Sequence, residues 1–141
     1  MKKYKKGYTS GVYDLFHVGH LNIFKNAKKL CDYLLVAVST DDVVEKNKDK
    51  KPIIPFNERL EIVSSIKYVD EAIPQTDYSV RGKINAVQEH KIDVVFVGSD
   101  WEGTEKWNLI EKKLKEIGCD VVYLPHTDGV SSTILRNKIK N

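Results

Sequence analysis

The stretch Gly11-Val12-Tyr13-Asp14-Leu15-Phe16-His17-Val18-Gly19-His20 places two histidines three positions apart around a glycine, directly after a short apolar run. At such a point a strand hands over to a helix. The first amides of a helix lack partners and its peptide dipoles sum to partial positive charge, so a helix start is an anion site. His17 and His20 add two imidazole donors, and Gly19 leaves no side chain to keep a ligand from the backbone. A polyphosphate fits that arrangement. A second group of cations follows in Glu45-Lys46-Asn47-Lys48-Asp49-Lys50-Lys51, closed by Pro52 and Pro55. A third stretch, Thr127-Asp128-Gly129-Val130-Ser131-Ser132-Thr133, offers hydroxyl and backbone donors at another expected helix start. No Ser/His/Asp or Cys/His arrangement is evident, so the chemistry suggested is the handling of phosphates by orientation and charge.

The elements that must position these residues alternate between strand and helix. Lys5 to Thr9 reads as a short first strand. Leu21, Phe24, Ala27 and Leu30 recur every three residues and mark one buried face of a helix from His20 to Leu30. Tyr33 to Ser39 is a near-continuous apolar run, as a central parallel strand requires. Lys46 to Lys51 reads as a lysine-dense loop, and Asn57 as the cap of a helix with Leu60, Val63 and Ile66 on one face. Glu71 to Ile73 is a third strand, Val80 to His90 a helix and Val94 to Gly98 a fourth strand. A helix from Trp107 to Ile117 ends at Gly118, Val121 to Leu124 is the fifth strand, and Ser131 or Ser132 starts a last helix. This order predicts an α/β chain, one domain over residues 1–141, with a Rossmann-like, doubly wound, parallel five-stranded sheet. Ligands then bind at the carboxyl ends of its strands. The histidine turn, the lysine loop, Gly98-Ser99-Asp100-Trp101-Glu102-Gly103 and the Thr127–Thr133 stretch all fall on that rim.

Those stretches, together with Lys67-Tyr68-Val69-Asp70-Glu71, resemble in order and spacing the small cytidylyltransferases of the HxGH nucleotidylyltransferase superfamily. Among these the likeness is greatest to the glycerol-3-phosphate cytidylyltransferases, and it runs from Tyr4 to Ile139. The resemblance implies transfer of CMP from CTP, with Mg²⁺, to a small alcohol phosphate, in cytoplasmic synthesis of teichoic acid or capsule. It implies catalytic roles for His17, His20 and Lys46. It implies nucleotide contacts at Val12, Tyr13, Asp14, Gly19 and His20 in the first motif, and at Asp100, Thr127, Ser131 and Ser132 beyond it. Acceptor or phosphate contacts fall to Lys46, Lys48, Lys67 and His126, the choice among Lys46, Lys48 and Lys50 staying open with Lys46 first. Two positions depart from the family pattern, which commonly has arginine where this chain has Lys67 and His126. Arginine grips phosphate with two parallel donors, lysine offers a point charge and histidine a titratable one. The resemblance also implies a homodimer, with the Lys67–Ile73 region as the place to look for its contact.

Alternatives stay open at this stage. Choline or ethanolamine phosphate would need a feature such as an aromatic cage for its cationic end, which Tyr13, Tyr78, Trp101 and Trp107 could supply. An adenylyltransferase acting on a phosphorylated cofactor precursor, or a nucleotide-binding module without catalysis, would share the same phosphate site. Arg59 either pairs with the anionic site or lies on a helix face, and Trp101 either stacks on a base or packs. Composition narrows the field. With 41% hydrophobic and 30% charged residues and a net charge of +3, the 141-residue chain has globular proportions and one ordinary core. The basic stripe with interleaved aromatics that nucleic acid binding requires is not evident, nor is an apolar segment of bilayer length. Cys31 and Cys119 read as buried free thiols, and no carboxylate cluster designates a metal site.

Overall fold

A computed structural model describes residues 2–140. Five strands, β1 (Tyr4–Gly11), β2 (Cys31–Ser39), β3 (Glu71–Gln75), β4 (Val94–Gly98) and β5 (Asp120–Leu124), form one sheet in the order β3-β2-β1-β4-β5. Every pairing is parallel. The chain first winds outward from β1 to β3 and then restarts beside β1 with β4. The crevice at that reversal, outside the carboxyl ends of β1 and β4, is where such a sheet receives ligands.

Helices cover both faces because the buried strand residues alternate. Leu34, Val36 and Val38 of β2 join Phe24 and Ala27 of α1 (Val18–Lys28) and Val63 of α3 (Phe56–Ser64) in one core. Leu35 and Ala37 point the other way, to Val87 of α4 (Val80–His90) and to Trp107, Ile110 and Leu114 of α5 (Glu105–Glu116). A strand buried on both faces must be apolar at consecutive positions, which is why β2 reads as a run without alternation.

Three expectations are corrected. The lysine-dense segment is not a loop throughout: α2 spans Asp41–Lys48, capped by the Thr40 hydroxyl on the Val43 amide and ended by Asp49 in the left-handed region at φ 54°. Asn57 does not cap α3. Pro55 holds that position without a side-chain bond, its ring presetting the backbone of the entry. Strand β3 runs to Gln75 through Pro74, which is tolerated because β3 is an edge strand. The last helix, α6 (Ser132–Lys140), begins after Ser131, whose hydroxyl accepts from the Ile134 amide at 3.0 Å.

Candidate active site

A cleft of about 460 Å³ opens at the reversal of the sheet. The end of β1, the turn into α1, the segment after α2, the turn after β4 and the start of α6 all line it. The turn into α1 is strained, since Tyr13 and Leu15 both have positive φ, at 57° and 49°. Such backbone costs on the order of 1–3 kcal/mol per residue and persists only where the surroundings over-determine it. Asp14, between them, supplies the restraint. Its carboxylate is 1% exposed and accepts from the amides of Leu15, Ile53 and Ile54 and from the Arg136 guanidinium. Its backbone carbonyl accepts from the Ser132 hydroxyl at 2.6 Å. One residue thus ties together the histidine turn, the strap after α2 and the last helix. Burial alone would raise the Asp14 carboxyl, but the Ile54 and Ile53 amides and Arg136 outweigh it and hold it below its ordinary value.

His17 and His20 sit at the start of α1 as a reciprocal cap. The Gly19 amide donates to His17 Nδ1 at 3.1 Å, and the His17 amide donates to His20 Nδ1 at 3.3 Å. The rings stack with centroids 3.8 Å apart. With each Nδ1 occupied as an acceptor, the proton of each neutral ring resides on Nε2. Burial lowers His17 below its ordinary value; His20 falls to about 3, through burial first and His17 second, against the pull of Asp14. In the ligand-free cleft both imidazoles are therefore neutral Nε2–H donors. A Cβ on Gly19 would lie 2.8 Å from His17 Cε1, so the glycine is needed for the ring that caps it as well as for an open backbone.

The cleft carries four permanent cations, Lys48, Lys50, Lys51 and Arg136, against the two carboxylates Asp14 and Asp100. Burial, then Lys50, then Arg136 lower the Lys48 ammonium below its ordinary value. Crowding of this kind is relieved by a bound anion. Ser131, Ser132, Thr127, Val12, Tyr13 and Gly19 also line the cleft. Tyr13 does so from the core, its ring edge against His20 at 5.4 Å. Thr127 is held by Asn22 Nδ2 at 3.0 Å, and His126 Nδ1 stands 3.5 Å from Asp100 Oδ2.

Two expected contributors lie elsewhere. Lys46 is exposed near the end of α2, outside the cleft lining, and lies toward Asp77, whose carboxyl Ser79 lowers first and Lys46 only weakly. Helical geometry is the reason, because α2 continues to Lys48 and turns Lys46 away from the residue two positions on. Lys67 precedes β3 and so lies at the amino edge of the sheet, opposite the ligand rim, with its ammonium over the Tyr68 ring at 5.2 Å.

Arg59 is neither on an open helix face nor free for a ligand. Its side chain is fully buried and donates to the carbonyls of Ile54, Val12 and Ser39 and to the Asp41 carboxylate. It fastens the ends of β1 and β2 to the strap. Arg136 is the functional candidate that sequence reasoning missed. The signal for it was present, because Ser132 and Arg136 are four positions apart on one helix and so share a face. Trp101 is exposed and lines the cleft, whereas Trp107 is buried in the core. Among the described residues no group of three His, Cys, Asp or Glu side chains could hold a metal ion. No helix there is long and apolar enough to cross a membrane.

With this geometry in view, comparison with known proteins is specific. A family model described as cytidylyltransferase-like matches residues 8–138. The glycerol-3-phosphate cytidylyltransferase of Bacillus subtilis is 40% identical over 135 residues, covering 96% of this chain and 97% of that protein. An FAD synthase of Pyrococcus abyssi is 34% identical over 120 residues, covering 84% of this chain and 78% of its own. Among solved structures, the lipopolysaccharide core biosynthesis protein of Thermoplasma volcanium superposes with a TM-score of 0.69 at 31% identity, over 87% of this chain and 96% of its own.

Proposed function

The chain belongs to the cytidylyltransferase-like family, and from that premise we propose that it transfers CMP from CTP to sn-glycerol 3-phosphate, giving CDP-glycerol and pyrophosphate. The observation that carries the phosphate chemistry is the crowding of Lys48, Lys50 and Arg136 beside two neutral Nε2–H donors at a helix start. A phosphate oxygen of glycerol 3-phosphate attacks the α-phosphorus of CTP in line, and the bond from that phosphorus to the pyrophosphate oxygen breaks. A phosphomonoester loses its second proton near pH ~6, so the attacking oxygen is already anionic at neutral pH and needs no general base. The protein's task is to bring two anions together and to stabilise charge on the α- and β-phosphates. His17 and His20 donate to those phosphates, Lys48 lies between the two substrates, and the α6 start with Ser131 and Arg136 receives the triphosphate tail. Asp100 accepts from the cytosine amino group or the ribose hydroxyls. A magnesium ion would come with CTP rather than on a carboxylate cluster of the protein and would supply neutralisation of the triphosphate charge.

Glycerol is favoured over choline or ethanolamine as the acceptor alcohol because the glycerol-3-phosphate cytidylyltransferases match over nearly the full length of both chains. The same synthesis supplies CDP-glycerol for teichoic acid or capsule in the cytoplasm. The protein works as a homodimer whose contact includes the Lys67–Ile73 region, where β3 leaves an unpaired sheet edge. A second reading, AMP transfer to flavin mononucleotide, draws on the likeness to FAD synthase. Pyrophosphate release with each of the four nucleoside triphosphates against glycerol 3-phosphate, ethanolamine phosphate, choline phosphate and flavin mononucleotide separates these. The proposal expects turnover with CTP and glycerol 3-phosphate; ATP with flavin mononucleotide as the productive pair would replace it.

A further inference from the structure

The loop between β5 and α6 brings His126, Thr127, Val130 and Ser131 to the wall of the cleft. Its ends are fixed. Leu124 is paired with Gly98 in the sheet, and the Ser132 hydroxyl donates to the Asp14 carbonyl. Between them the chain turns at Gly129, with φ 80°. Among the described residues one hydrogen bond holds residues 126–130, from Asn22 Nδ2 to the Thr127 hydroxyl at 3.0 Å. Val130 adds an apolar approach, since a Cβ on Gly19 would lie 3.4 Å from its Cγ1. Gly19 and Asn22 are three positions apart and share a face of α1. The helix whose first turn presents His17 and His20 therefore also seats this loop, at two points of one face.

Burial does not force this bond. Phe24 and Ala27 are the buried residues of α1, whereas Asn22 is half-buried and its amide could be satisfied by water. What the bond supplies is order and direction. An N–H that donates to Thr127 Oγ1 occupies an acceptor position of the hydroxyl and turns the hydroxyl's own proton away from Asn22. Thr127 lines the cleft, so a ligand oxygen there comes within that proton's reach. A loop left without the anchor would have to be ordered at the moment of binding, and affinity would fall by that conformational entropy. We infer that Asn22 is a positioning residue for the nucleotide, holding the loop after β5 against α1 before CTP arrives and aiming the Thr127 hydroxyl at it. The inference rests on the nucleotide reading above and adds to it a residue outside the cleft lining.

Titration calorimetry of the full chain with MgCTP tests this on wild type, Asn22→Ala, Thr127→Val and the double variant, a cycle that isolates the pair. Asn22→Ala weakens CTP binding by about fivefold, the scale of one neutral hydrogen bond. Thr127→Val removes the anchor and the donor together and weakens it by about tenfold or more. Asn22→Ala added to Thr127→Val costs nothing further, because the hydroxyl it served is gone. Steady-state kinetics on Asn22→Ala shows the KM for CTP raised by a similar factor, with kcat at saturating MgCTP changed by less than about twofold. A residue of merely structural importance would lower stability and leave the KM of the folded chain as it was. Wild-type affinity in Asn22→Ala, losses that multiply in the double variant, or a fall in kcat at unchanged KM overturns the positioning role while leaving nucleotide binding intact. A wild-type chain that does not bind MgCTP overturns the nucleotide reading and the role with it.

Discussion

Replacing Asp14 by Asn removes the joint between the histidine turn, the strap and the last helix. Each carboxylate oxygen accepts two bonds: Oδ1 from Leu15 at 3.1 Å and Ile54 at 2.9 Å, Oδ2 from Ile53 at 2.8 Å and from Arg136. An amide keeps one oxygen and sets an NH₂ group against the other pair of donors. Two bonds to a charged acceptor are lost, each worth about 1.5–3 kcal/mol, and Arg136 is left without its partner. Because the Arg136 side chain is about one-fifth exposed it rehydrates in part, so the lower end applies and the loss comes to about 3 kcal/mol. For a domain of this length that lowers Tm by about 10 °C. Denaturant unfolding of both chains across pH measures it. The folded carboxyl lies below its unfolded value of about 3.9, so its contribution is complete above that value and disappears as pH falls through the folded one. The gap between the two chains should therefore be constant from about pH 7 to pH 5 and narrow below about pH 4. An Asn variant as stable as wild type at neutral pH would refute the joint, as would a gap that widened on acidification.

Other substitutions separate roles that the geometry assigns to neighbours. His17→Asn retains an acceptor for the Gly19 amide but loses the Nε2–H, so stability stays within about 0.5 kcal/mol while kcat falls by about 10²–10³ with a smaller change in CTP affinity; equal losses in rate and affinity would make the imidazole a ground-state contact. Lys48→Ala raises the KM for glycerol 3-phosphate by about tenfold and Lys46→Ala by less than about twofold, which steady-state kinetics on the two variants decides. Arg59→Met strips donors from three carbonyls and from Asp41, costs about 3–5 kcal/mol in urea unfolding, and reduces activity only as far as folding is impaired.

The sheet was legible because parallel strands buried on both faces leave a signature that polar loops cannot imitate, as in Tyr33 to Ser39. Helix α4 was legible through its boundaries, Val80 and His90. Helix α2 was not, because only Val43 and Val44 of its eight residues are buried and its lysines and acids read as solvated loop. Lys46 was put first by resemblance, with Lys48 and Lys50 left open, and a segment read as a loop gave no reason for neighbouring lysines to face different ways. Arg59 was opaque for another reason. Its partners are mostly main-chain carbonyls far off in sequence, and no residue type announces a carbonyl that needs a donor. Lys67 was placed by resemblance rather than by topology, although its position before β3 already put it at the amino edge of the sheet. Asp14 was singled out by resemblance, but its partners were not legible, because its carboxylate meets a strap about 40 positions on and a helix about 120 positions on.

The most direct test of cytidylyl transfer is the product itself. Purified chain incubated with MgCTP and glycerol 3-phosphate can be followed by ³¹P NMR. CDP-glycerol and pyrophosphate growing in equal amounts, with neither formed when glycerol 3-phosphate is left out, is the result expected. CTP consumed to CMP without a diphosphate-linked glycerol, or CTP left intact while ATP and flavin mononucleotide react, would contradict it.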